Sequence, residues 1–80
     1  MTKNLLQLPV GSQASVVEVM DQPLNVRMEA MGIRRGAQLT LLAKTAGGSR
    51  LIRVGDARLS LARELCRAIL VEFDGSAHVL

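Results

Sequence analysis

The chain has 80 residues, 49% of them hydrophobic, with ten basic and seven acidic side chains for a net charge of +3. That length fits one domain around one core, and that apolar fraction excludes a disordered chain. A single Phe with no Trp or Tyr rules out an aromatic stacking platform, and a lone cysteine rules out an internal disulfide and fits a reducing compartment.

The N-terminal stretch "MTKNLLQLPVG" holds Leu5, Leu6 and Leu8 before Pro9 and Gly11, too short an apolar run for a signal peptide. No window approaches the roughly 20 apolar residues of a membrane span, so a cytosolic protein is expected. Glycines then punctuate short apolar runs, the pattern of a small β barrel or sandwich. Ser15 to Met20 is β-branched and predicts a strand, with Val17 and Val19 on one face and Val16, Glu18 and Met20 on the other.

From Pro23, the spacing of Leu24, Met28 and Met31 at i, i+4 and i+7 predicts a helix. Pro23 suits its first turn and Gly32 the position just past its end. A left-handed Gly32 would let Ile33 fold back on Met28, and Gly36 would turn the chain into the next strand. Gln38 to Lys44 alternates as a strand should, with Leu42 the exception. Arg50 to Val54 and Ala57 to Leu61 read as a hairpin over the two-residue loop Gly55-Asp56, with Ala57, Leu59 and Leu61 inward. "SLARELC" predicts a short helix capped by Ser60. Ala68 to Phe73 reads as the last strand, with Ile69, Val71 and Phe73 on one face. The fold class is mostly β: one domain over residues 1–80, a barrel of about five short strands with one or two short helices inserted.

The residues offer little chemistry. Cys66 lies in a short amphipathic helix and reads as a small core residue; His78 reads as a solvated tail residue. The carboxylates are dispersed, and Met20, Met28 and Met31 read as core filler rather than soft-metal ligands. No glycine turn has the spacing of a phosphate cradle. No catalytic, cofactor or metal site is therefore expected. Arg27, Arg34, Arg35, Arg50, Arg53 and Arg58 read as ordinary surface charge or as a basic face. The second reading keeps a small nucleic-acid-binding barrel as the alternative function.

Three stretches, "LLQLPVGSQASVVEV", "RMEAMGIRRGAQLTLLAK" and "RVGDARLSLARELCRAILVE", together resemble the FeoA family, the small cytosolic protein of the bacterial ferrous iron transport system. The most specific piece is the run Arg27, Met28, Met31, Gly32, Ile33 and Gly36. The resemblance implies an SH3-like barrel. It also implies a non-enzymatic accessory role, through protein–protein interaction with FeoB, the membrane ferrous iron transporter with a cytosolic GTPase domain. Such a protein would be cytoplasmic, recruited to the inner face of the membrane by its partner, with at most weak self-association and no nucleic-acid ligand. Some metal-dependent repressors end in a similar domain, but they carry a DNA-binding helical domain that this chain lacks.

The family often has proline at the position of Arg35, and a more charged start to the helix that here holds Ala62, Leu65 and Cys66. Met28, Met31, Ile33, Arg34 and Arg35 form the candidate partner-facing surface, because loop tips commonly carry binding function and arginine grips carboxylates in two places. The competing reading is that Arg34 and Arg35 only keep an apolar protein soluble.

Overall fold

The computed structural model describes residues 2–20 and 22–73, with residues 22–25 described by their backbone alone. Leu24 as part of a buried helical face and His78 as a tail residue lie outside what is described. Six strands appear in chain order: β1 (Thr2–Asn4), β2 (Gln13–Val19), β3 (Gln38–Lys44), β4 (Arg50–Val54), β5 (Ala57–Leu61) and β6 (Ile69–Glu72). They form one sheet in the order β1-β6-β2-β3-β4-β5, with every neighbouring pair antiparallel. Helix α1 (Gln22–Ala30) joins β2 to β3, and helix α2 (Arg63–Arg67) joins β5 to β6.

The strand beyond the expected five is β1, which pairs Thr2, Lys3 and Asn4 with Glu72, Val71 and Leu70. Three mixed residues are too few to show a period. A 3-10 turn (Leu5–Gln7) follows, held by a reciprocal cap. The Asn4 side chain accepts from the Leu6 N–H at 2.9 Å, and Gln7 Oε1 accepts from the Asn4 N–H at 3.0 Å. The turn buries Leu5 and, just beyond it, Leu8.

Two β-bulges decide which side chains enter the core. The register of β2 with β6 shifts between Val16 and Glu18. A bulge adds one unpaired residue, so the inward phase changes across it. Ala14 and Val16 are buried before it and Val19 after it, while half-buried Val17 and exposed Glu18 lie between, and Met20 stays outside. Strict alternation, which put Val17 and Val19 on one face and Val16 on the other, fails here for that reason. In β3 the register with β4 shifts between Leu41 and Ala43. Leu42, the break in the sequence pattern, is the extra residue. The turn before β2 clamps this bulge: the Gly11 N–H donates to the Leu41 carbonyl at 2.7 Å, and the Leu41 N–H donates to the Ser12 carbonyl at 3.0 Å. Ser12 is buried, and its hydroxyl donates to the Pro9 carbonyl at 2.6 Å, which removes the penalty of an unpaired buried polar group.

The core is aliphatic. Leu5, Leu8, Ile33, Leu41, Ile52, Cys66, Ile69 and Val71 are all fully buried. Phe73 is half-buried at its edge, with Lys3 Nζ 5.1 Å from its ring centre. Of the three methionines expected inside, only Met28 is buried; Met20 and Met31 are exposed. The hairpin turns at Gly55-Asp56, with Gly55 at φ 59°. Along β5 burial fades toward that turn, from buried Leu61 through half-buried Leu59 to exposed Ala57, so Ala57 does not face the core. Ser60 does not cap α2. It pairs with Leu51 inside the ladder, and the helix begins at Arg63 after the N-cap residue Ala62, which makes no side-chain capping bond.

Candidate interaction surface

The end of α1 shows why "MGIRRG" carries its glycines. The Gly32 N–H donates to the Glu29 carbonyl at 3.0 Å and the Ile33 N–H to the Met28 carbonyl at 2.9 Å. This pair of bonds is the Schellman closure, which needs a left-handed residue at its turn. Gly32 has φ 92°. A Cβ there would meet only Val54 Cγ1, at an ordinary 3.5 Å, so the backbone angle rather than lack of room selects glycine.

The closure sends Ile33 and Met28 into the core, at 0% and 2% exposure. Neither offers surface to a partner, which corrects their place in the sequence-based set. The hydrogen-bonded reversal leaves them no other direction. Met31 at 38% exposure, Arg34 and Arg35 remain outside.

The turn after Ile33 docks on the bulge of β2. The Gly36 N–H donates to the Val16 carbonyl at 2.8 Å, and the Val16 N–H donates to the Ala37 carbonyl at 2.8 Å. Arg35 Nε then donates to the carbonyl of Val17, the bulged residue, at 3.2 Å. Arg35 thus ties the turn to the residue of β2 that has no register partner in β6. The Arg34 carbonyl accepts from the Ala37 N–H at 2.9 Å, but the Arg34 guanidinium has no hydrogen bond or ion pair among the described residues.

Between this turn, α1 and β2 lies an open cavity of about 240 Å³, lined by Val17, Glu18, Val19, Glu29, Arg34 and Arg35. Valines form its apolar part, and two guanidiniums and two carboxylates its charged rim. Such a notch can receive a side chain or a short loop carrying either charge. Glu18 and Glu29 were not in the sequence-based set. Glu18 reaches this rim from β2 and Glu29 from the exposed side of α1.

The other candidate groups lie elsewhere. Cys66 is buried, and its thiol sits 3.7 Å from the Leu61 carbonyl. Burial pushes its pKa above the ordinary 9.0, and Arg50 partly offsets this. A thiol so placed is a poor nucleophile at neutral pH. Arg50 itself is half-buried, donating to the carbonyls of Gly48 at 2.6 Å and Leu6 at 3.4 Å. The six arginines proposed as one basic face are thus not one face: Arg50 ties loops together, whereas Arg53 and Arg58 stand exposed on the hairpin. Among the described residues no three His, Cys, Asp or Glu side chains converge on a common point.

The model of the FeoA domain family matches residues 3–73. A FeoA-like protein from Clostridium acetobutylicum superimposes with a TM-score of 0.84 at 23% identity, covering 99% of this chain and 94% of that one. FeoA of Stenotrophomonas maltophilia, solved with zinc, gives 0.75 at 28% identity over 88% of this chain and 89% of that one. It is described as a procaryotic SH3 domain protein and a candidate ferrous iron transport activating factor. A manganese-dependent transcriptional repressor gives 0.78 at 20% identity, covering 90% of this chain but 41% of the repressor. No curated protein sequence matches the chain. With the family model spanning nearly all of its length, the chain belongs to the FeoA family and has its SH3-like fold.

Proposed function

We propose that this member of the FeoA family is a non-enzymatic accessory factor of ferrous iron uptake that binds the cytosolic face of the membrane transporter FeoB. The observation that carries the reading is the family match over residues 3–73. It ties the chain to ferrous iron transport, and the Stenotrophomonas relative is described as a candidate activating factor of that process. No helix among the described residues is long and apolar enough to cross a membrane, so contact with a transporter would be made by surface residues.

The surface assigned to that contact is the end of α1 with its turn: Met31, Arg34 and Arg35 around the notch that Glu18 and Glu29 complete. The Arg34 guanidinium has no partner among the described residues, and such a guanidinium beside an exposed Met is the kind of group that anchors interfaces. The protein works in the cytoplasm and is held at the inner face of the membrane by its partner.

The test is a titration of the transporter's isolated cytosolic domain into the chain, repeated with Arg34 and Arg35 both changed to Ser. The parent chain should bind, and the double variant should bind at least about tenfold more weakly. Absence of binding by the parent chain would sink the reading. Equal binding by the variant would move the contact away from the turn.

A further inference from the structure

The register places Arg53 of β4 directly opposite Arg58 of β5. Both are exposed. Both lie on the outer face, since Ile52 and Leu61 of the same strands are buried. Directly opposed residues on one sheet face stand about 5 Å apart at Cβ, and like charges so placed repel. Neither guanidinium has a carboxylate partner among the described residues.

The row continues across the sheet. Arg53 pairs with Thr40 of β3, and Thr40 pairs with Gln13 of β2. Thr40 sits between buried Leu39 and Leu41, and Gln13 beside buried Ala14, so both side chains share the outer face. Four adjacent strands therefore present Gln13, Thr40, Arg53 and Arg58 in one line. The line holds two cations and two neutral hydrogen-bonding groups, and no acid.

We propose that this row is a docking strip for an acidic peptide segment of a partner protein. The argument is charge complementarity. Two opposed guanidiniums offer forked donors to consecutive carboxylates, and an anion between them turns their repulsion into attraction. Thr40 and Gln13 extend the strip with groups that can bond to a peptide backbone. A carboxylate ligand is favoured over a nucleic acid because the row has no aromatic side chain on which bases could stack. The proposal does not rest on FeoB as the partner.

The experiment titrates the full chain, isotopically labelled for NMR, with a short poly-glutamate peptide. Parallel titrations use a single-stranded oligonucleotide and phosphatidylserine vesicles. The peptide should shift the amide signals of Thr40, Arg53 and Arg58 saturably, and the effect should fade as salt is raised. Changing Arg53 and Arg58 together to Gln should weaken binding at least about tenfold without lowering Tm. A second variant tests the repulsion itself: Arg58→Glu should raise Tm by about 2 °C. Any of three results overturns the proposal: no saturable shift, shifts centred on Arg34 and Arg35, or tighter binding to the oligonucleotide or vesicles. If the peptide binds the strip while the FeoB titration fails, only the FeoB reading is lost.

Discussion

Two pairs of arginines behave in opposite ways. Arg34 and Arg35 are neighbours in sequence, yet the fold separates their tasks. Arg35 donates to the Val17 carbonyl at the β2 bulge, whereas the Arg34 guanidinium has no partner among the described residues. Arg53 and Arg58 are five positions apart, yet the ladder sets them opposite each other. Adjacency in the chain thus says little about whether two charges act together. Hydrogen-bond register decides it, because it fixes which side chains share a face at contact distance.

The heaviest blow to this contrast would come from the core beneath the hairpin. Ile52 is fully buried and sits beside Arg53 on the opposite face of β4. Ile52→Ala should cost about 2–4 kcal/mol through lost burial and a residual cavity. Thermal unfolding should show it as a Tm fall well beyond 8 °C. A loss below about 1 kcal/mol would mean the hairpin is not anchored through this residue.

Next comes the turn that holds the other pair. Gly32→Ala should cost about 1 kcal/mol, since alanine pays for the left-handed backbone. The room around it is adequate, so Gly32→Asn, which tolerates that conformation better, should recover part of the loss in urea unfolding. Equal losses in both variants would point to packing rather than backbone angle.

A smaller effect separates Arg34 from Arg35. Arg35→Ala removes the bond to the Val17 carbonyl and should cost about 0.5–1 kcal/mol. Arg34→Ala should stay within about 0.5 kcal/mol of the parent. Matched denaturation curves of the two variants decide the point, and identical stabilities would erase the division between clamp and free cation.

The smallest effect is absent at neutral pH. Burial raises the Cys66 pKa above 9.0, with Arg50 opposing. The folded thiol holds its proton more tightly than the unfolded one, so unfolding in alkali releases a proton. The sign follows: this group leaves stability untouched below about pH 9, and stability falls as pH rises past the unfolded value toward the folded one. Cys66→Ala should lose stability at neutral pH but show a shallower decline above pH 9. Equal slopes for the two proteins would contradict the shift.

Much of the ladder was legible from local pattern. The bounds of β3, β4 and β5 match the alternation and glycine turns, and the Gly32 closure follows from a helical period ending in glycine. The misses lie in strand pairing. The β2 phase and the extra strand Thr2–Asn4 both depend on β6, a partner distant in sequence, whereas the Ser60 cap fails because Ser60 still belongs to the hairpin ladder. Of the surface expected to face a partner, Met28 and Ile33 are buried by packing of the helix end against the sheet, which is not visible in a local pattern.

The sequence alone therefore determined the class of fold, the aliphatic core and the places where glycine must turn the chain. These are short-range properties of side-chain volume, polarity and backbone angle. Only the tertiary structure decided that Arg35 is a clamp and that Arg53 meets Arg58. Both facts are set by long-range strand pairing, its register and its bulges, which decide which side chains share a face and which carbonyls a distant side chain can reach.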